Sequence, residues 1–222
     1  MPGAVLFDID GTLVDSNYLH VTAWREAFLA VDRNIPTAAI HRCIGMDSAK
    51  LLERLLGPSE ASGEVAERAK AEHKERYMHA RPSLRAFDGA VELVRAVAGR
   101  ATSVLATSAP DDELAVLRDI LQVDDAVAVI TSAGDVGSAK PDPDIVAVAL
   151  ERAGVDAGDA VFVGDTVWDV EAAGRAGVGC VALLSGGIGE AELRDAGAVE
   201  VFDGAAALLD GLDRSALARV LG

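Results

Sequence analysis

The first apolar run of this chain ends in charge. Residues 4–7 read Ala-Val-Leu-Phe and pass directly into Asp8-Ile9-Asp10-Gly11-Thr12-Leu13-Val14-Asp15. An unbroken apolar run with β-branched and aromatic members predicts a strand buried on both faces, the kind found inside a parallel sheet. Such a strand delivers Asp8 and Asp10 at its C-terminal tip. Positions i and i+2 share a face, so strand alternation aims both carboxylates to one side. Two carboxylates that close repel unless a cation neutralises them or one carries a proton. Gly11 lets the chain turn sharply beyond them. The plainer alternative is a strand and an acidic turn, because Asp-Gly is ordinary turn chemistry. A calcium loop of EF-hand type fails, since it needs Gly at its sixth position and Glu at its twelfth. Counted from Asp8, Leu13 and Leu19 stand there.

At 222 residues the chain suits one domain, or one domain with an insertion. Half of it is hydrophobic but only 4% is aromatic, so Ala, Val and Leu must do most of the packing. The formal net charge of −16 opposes nucleic-acid binding and adhesion to anionic membranes. An acidic protein acting on an anionic substrate then needs local positive charge or a metal. The lysines are Lys50, Lys70, Lys74 and Lys140, which leaves Lys140 isolated in the second half of the chain. Cys43 and Cys180 lie far apart without a CxxC pattern, which suggests neither a disulfide framework nor a zinc cluster. No apolar run approaches ~18 residues, and the first strand begins too early for a signal peptide. A cytoplasmic protein is expected, monomeric or weakly homodimeric.

After Asp15 the pattern becomes helical. Leu19, Thr22, Ala23, Phe28 and Leu29 give one apolar side, with His20 and Trp24 a turn apart. Ile40 to Leu56 forms a second helical stretch, interrupted near Gly45-Met46-Asp47, and Glu64 to about His79 a third that is dense in charge. From Asp88 helices and strands alternate. Helices are expected at 90–98, 111–121, 143–153 and 169–176; strands at 102–107, 126–130, 160–163, 178–184 and 199–202. Alternation of this kind implies a doubly wound parallel α/β sheet with helices on both faces. The expected division is a sheet domain of residues 1–15 and 86–222, with an inserted helical bundle at 16–85. No phosphate loop of GxxxxGK[ST] type occurs, and Gly187-Ile188-Gly189 lacks the third glycine of a dinucleotide fingerprint.

Ligands of open parallel sheets bind beyond the carboxyl ends of the strands. Asp8 and Asp10 leave the first strand there. Thr107-Ser108 leave the second, ahead of a helix whose free N–H groups can hold an anion. Lys140-Pro141 precede another helix, and Val163 runs into Gly164-Asp165-Thr166-Val167-Trp168-Asp169. Each has an ordinary alternative: Thr107-Ser108 as a helix cap, Lys140 as a solvated lysine, Asp165 and Asp169 as charges matched to their own helix start. Their joint occurrence at successive strand exits and helix entrances is harder to attribute to chance.

Those four motifs, with a helical stretch after the first, resemble the haloacid dehalogenase superfamily in its branch with a helical cap. The resemblance spans the chain and implies a Rossmann-like core with an inserted helical-bundle cap. It implies that Asp8 attacks phosphorus and becomes an aspartyl phosphate. Asp10 would protonate the leaving oxygen and later activate water. Mg²⁺ would be held by Asp8, the main-chain carbonyl of Asp10 and Asp165, with Asp169 acting directly or through water. Thr107 and the Ser108 main-chain N–H would hold phosphoryl oxygens, and Lys140 would offset the repulsion between carboxylate and phosphate. A hard dication with oxygen ligands suits that task.

Among the family's branches, dehalogenases lack the second aspartate and need no metal, so Asp10 and Asp165 argue against them. Phosphonatases use a cap lysine; Lys50 is the candidate, but it sits within a helical run. Sugar-phosphate mutases resemble the chain at His20, Trp24, Arg42 and Gly45. They carry an arginine where Ser48 stands and a glutamate where Gly164 stands. A phosphatase for a small phosphorylated metabolite is therefore expected. The alternatives are a mutase of the β-phosphoglucomutase type and a non-catalytic metal-binding phosphoacceptor module. His20, Trp24, Arg42, Met46 and Arg85 are the candidates for substrate selection.

Overall fold

The computed structural model describes residues 3–135 and 140–222, so residues 1–2 and 136–139 of the expected sheet domain lie outside the described residues. Among the described residues one sheet forms from β1 (Ala4–Phe7), β2 (Thr102–Ala106), β3 (Val129–Thr131), β4 (Ala160–Gly164), β5 (Gly179–Leu183) and β6 (Glu200–Phe202). Every neighbouring pair is parallel, in the order β3-β2-β1-β4-β5-β6. The helices are α1 (Asn17–Ala30), α2 (Thr37–His41), α3 (Ser48–Leu56), α4 (Glu64–Ala80), α5 (Ala90–Ala98), α6 (Asp111–Leu121), α7 (Asp144–Ala153), α8 (Val167–Arg175), α9 (Glu190–Asp195) and α10 (Ala205–Asp210).

The chain divides into two compact units, residues 1–15 with 85–222, and residues 16–84. The first is the doubly wound sheet. All four residues of β1 are inaccessible to solvent because β2 and β4 flank the strand and helices cover both faces. Leu6, Val104, Phe162 and Cys180 pack on one face with Ile145, Val146 and Ala149 of α7, Val170 and Ala173 of α8 and Leu193 of α9. Burying each large aliphatic or aromatic side chain contributes roughly 1.5–3 kcal/mol, so this apolar run holds the middle of the sheet. The strand order reverses between β1 and β4, which opens a crevice at their carboxyl ends. No helix among the described residues is long and apolar enough to cross a membrane.

The second unit is helical. Ala66, Ala69, His73 and Tyr77 form the buried stripe of α4, three or four residues apart, and α1 packs along it. Trp24, Phe28, Ile40, Leu51 and Leu52 fill its core. Where the chain leaves and re-enters the sheet unit, its two passages pair. Asp15 N donates to Arg85 O (2.9 Å), Phe87 N to Leu13 O (2.9 Å), and Val14 bridges Ala86 in antiparallel fashion.

Several boundaries differ from the sequence expectation. The strand expected at 126–130 is β3 at Val129–Thr131. Ion pairs from Arg118 to Asp124 and from Arg95 to Asp125, with a turn from Ala126 N to Val123 O (2.8 Å), hold the preceding residues out of the ladder. Helix α8 starts at Val167, two residues early, because Thr166 caps it. The stretch Ile40–Leu56 is two helices: Gly45 takes a φ of 92°, and Asp47 caps α3 by accepting from Ala49 N (2.6 Å) and Lys50 N (2.9 Å). Helices α9 and α10 were not expected; each is only six residues long, too short for a periodic signal. Both cysteines are free and buried.

Candidate active site

Asp8 and Asp10 lie just beyond the end of β1 rather than within it. Asp8 N still donates to Val163 O of β4 (2.9 Å), which seats the residue at the switch point. The carbonyl of Ile9 then accepts from Thr12 N, Leu13 N and Val14 N at 2.9–3.2 Å, coiling the chain tightly with Gly11 at a φ of 77°. Asp8 is buried by this turn, and Asp10 is partly exposed. The turn, not strand alternation, sets the direction of the two carboxylates.

Lys140 is among the largest fully buried side chains. Its Nζ donates to Asp8 Oδ1 at 2.5 Å and lies 2.7 Å from Asp169 Oδ1 as an ion pair. It also stands 5.5 Å above the Phe162 ring centroid. Asp169 is fixed from its other oxygen. Oδ2 accepts from Thr166 Oγ1 (2.6 Å), Thr166 N (3.0 Å) and, more loosely, Asp165 N (3.3 Å), and Thr166 Oγ1 accepts from Asp169 N (3.3 Å). This reciprocal cap locks the first turn of α8. Asp165 follows β4, fully buried, with Oδ1 accepting from Thr12 Oγ1 at 2.7 Å.

Asp8, Asp165 and Asp169 each offer a carboxylate oxygen, all within 4.8 Å of one another. Three buried carboxylates cluster here, and the Lys140 ammonium pairs with two of them, Asp8 and Asp169. Burial pushes the Asp8 carboxyl up to about 7; Lys140 opposes the rise, and Asp169 and Asp10 add to it. At Lys140 burial acts to lower the pKa, but Asp169 and Asp8 overcome it and hold the ammonium above its ordinary value. With one ammonium paired to two of three clustered carboxylates, the cluster is short of positive charge. A hard dication among these oxygens would supply the missing charge, so the donor set fits Mg²⁺ or a similar ion.

Thr107 and Ser108 follow β2, next to β1 in the sheet. Thr107 is buried and its Oγ1 accepts from Ala109 N at 3.0 Å. Ser108 Oγ is buried with no hydrogen-bond partner in the protein. The structure therefore joins Asp8 and Asp169 through Lys140, sets a carboxylate oxygen of Asp165 within 4.8 Å of theirs, and places Asp10, Thr107 and Ser108 just beyond the carboxyl ends of the neighbouring strands β1 and β2.

The other candidates belong elsewhere. His20 and Trp24 lie in the helical unit around His73: His20 Nδ1 is 3.1 Å from His73 Nε2, and the Trp24 and His73 rings stack at 4.2 Å. Trp24 is buried in the core of that unit, and Met46 packs on its edge. Arg42 and Arg85 are exposed. Sequence reasoning carried Thr12 within the first motif without a role of its own, and missed Ser185 and Gly186. Ser185 Oγ donates to Gly11 O at 2.6 Å, and Gly186 lies against Asp165. The glycine pair Gly186-Gly187, in the turn that follows β5, was the available signal.

The profile of the haloacid dehalogenase-like hydrolases matches residues 2–177. Phosphoglycolate phosphatase of Rhodospirillum rubrum is 30% identical over 225 residues, covering 96% of this chain and 91% of that protein. Phosphoglycolate phosphatase 1 of Pseudomonas aeruginosa is 32% identical over 193 residues, covering 84% and 71% respectively. Among solved structures, a hydrolase from Pseudomonas syringae superposes with a TM-score of 0.89 at 35% identity, covering 96% of this chain and 98% of that one. With its parallel sheet, acidic cluster and buried lysine, the chain belongs to the haloacid dehalogenase-like hydrolases.

Proposed function

We propose that this hydrolase is a Mg²⁺-dependent phosphatase acting on a small phosphorylated metabolite through an aspartyl phosphate on Asp8. The observation that carries it is the buried Asp8 at the switch point, held by Lys140 and grouped with Asp165 and Asp169. A carboxylate Oδ of Asp8 attacks phosphorus as the bond to the leaving oxygen breaks. Asp10 gives that oxygen a proton. Water then attacks phosphorus, Asp10 takes its proton, and the bond to Asp8 breaks. Asp10 is less buried than Asp8, so the two carboxyl groups stand in different environments and can take different protonation states. Thr107 and Ser108 hold phosphoryl oxygens; the unpartnered Ser108 Oγ is available as a donor. Lys140 offsets charge on both the nucleophile and the phosphoryl group. Asp8, Asp165, Asp169 and the Asp10 carbonyl would hold Mg²⁺, which supplies Lewis-acid charge stabilisation when bound.

Phosphoglycolate is the first substrate to try, given the names of the relatives. The helical unit at 16–84 is proposed as the substrate-selecting cap, with His20, Arg42 and Met46 as candidates and Arg85 beside its return. Trp24 is assigned to the support of that unit. A mutase fits less well. At Gly164 a Cβ would stand 2.5 Å from Asp169 Cβ, which leaves no room for a glutamate without moving Asp169. A cytoplasmic monomer or weak homodimer completes the proposal. The test is hydrolysis of p-nitrophenyl phosphate with Mg²⁺, its loss in EDTA, and its loss in Asp8→Asn. Retention of more than a few per cent of activity by folded Asp8→Asn removes Asp8 as nucleophile.

A further inference from the structure

Gly186, in the turn after β5, has its α-carbon against the Asp165 carboxylate. A Cβ built there would stand 1.8 Å from Asp165 Oδ2, 2.7 Å from Cγ and 2.9 Å from Cβ. No side chain enters that space unless Asp165 turns. The glycine is not there for its backbone: Gly186 is outside the set of positive-φ glycines, so an alanine meets no conformational penalty. The reason for glycine is room. From the opposite side, Thr12 Oγ1 donates to Asp165 Oδ1 at 2.7 Å in a fully buried bond. Ser185, next to Gly186, donates to Gly11 O at 2.6 Å, which ties the turn after β5 to the loop that carries Thr12.

We propose that Gly186 and Thr12 are positioning residues that clamp the Asp165 carboxylate in the orientation in which it shares a divalent cation with Asp8 and Asp169. This rests on the reading of those three aspartates as metal ligands. The clamp works by contact on one oxygen and a hydrogen bond on the other, so neither residue needs to touch the cation. Gly186→Ala turns Asp165 and stretches the Thr12 bond while leaving every ligand in the sequence.

The experiment is Mn²⁺ binding to the purified 222-residue chain, followed by the electron paramagnetic resonance of free Mn²⁺ and run beside circular dichroism. Gly186→Ala should raise the Kd for Mn²⁺ at least tenfold. Its metal-activation curve should move to higher concentration, while KM for p-nitrophenyl phosphate at saturating metal stays near that of the parent. Gly189→Ala, in the same segment but with no atom within 4 Å of the added Cβ, should bind as the parent does. Thr12→Val should weaken Mn²⁺ severalfold and Thr12→Ser should restore it. Folded Gly186→Ala with a Kd within twofold of the parent overturns the clamp. Should Gly186→Ala not fold, the Thr12 pair decides: parental affinity in Thr12→Val overturns it equally. A parent chain that takes up no Mn²⁺ overturns the metal reading, and the clamp with it.

Discussion

Replacing Lys140 by Met removes an ammonium that sits 2.5 Å from Asp8 and 2.7 Å from Asp169, and leaves both carboxylates buried. With both carboxylates ionised, at an effective dielectric of about 20 each contact carries roughly 6 kcal/mol of gross attraction. Most of that is consumed by desolvation, and breaking one side of a buried pair typically costs about 3–5 kcal/mol net. The loss should depend on pH in a defined way. With Lys140 present the Asp8 carboxyl is already pushed up to about 7, and Lys140 acts to lower it. In Lys140→Met it rises further. Below about 7 both folded proteins hold the Asp8 proton, so the stability difference is constant. Above about 7 the folded parent releases it, as the unfolded chain already has, whereas the folded variant keeps it. The variant alone then loses stability with rising pH, by about 1.4 kcal/mol per pH unit. Urea unfolding in EDTA at pH 6, 7, 8 and 8.5 measures this directly. A difference that stays flat across that range refutes the claim that Lys140 governs the charge state of Asp8.

Three further outcomes are expected. Asp10→Asn should slow alkyl phosphates more than aryl phosphates, because alkoxide leaving groups need the proton most; equal losses in kcat/KM on both would exclude Asp10 as the acid. Arg42→Ala should reorder kcat/KM across a panel of phosphometabolites by about tenfold in places, while Lys140→Ala slows all of them together; a uniform loss in Arg42→Ala moves substrate selection to another cap position. Burial, reinforced by His20, holds His73 well below its ordinary 6.5. As pH falls below about 6.5 the unfolded chain gains a proton the folded one refuses, so stability drops by up to about 1.4 kcal/mol per unit. Thermal unfolding of His73→Gln between pH 5 and 7 should lack that slope.

The sheet and the acidic motifs were legible because each is written locally. Ala4–Phe7 is apolar without interruption, and Asp8, Lys140, Asp165 and Asp169 each sit at a strand exit or helix entrance that pattern alone locates. What joins them was not legible. That Lys140 pairs with both Asp8 and Asp169 depends on residues far apart in sequence meeting beyond the carboxyl ends of the strands. Thr12 was hidden because a threonine after Asp-Gly reads as turn chemistry until Asp165 is found opposite it. Trp24 reads as a ligand-facing aromatic one turn from His20, yet it stacks on His73 from α4, about fifty residues on, and is buried. Strand β3 was misplaced because ion pairs at Asp124 and Asp125 outweigh the apolar character of the residues beside them.

The paired passages at Leu13–Asp15 and Arg85–Phe87 have an architectural consequence. The chain departs from the sheet unit and returns to it on adjacent rungs, so that unit experiences residues 16–84 as a single closed loop. The entropy of closing a loop grows only with the logarithm of its length. Lengthening, trimming or exchanging the helical unit should thus cost the sheet unit little while the rungs survive. The helical unit is a cassette, and its seams fall between Asp15 and Ser16 and between Leu84 and Arg85. A lineage can recombine at those seams and keep one acidic centre while exchanging the helical unit, and a laboratory chimaera can be cut at the same two peptide bonds.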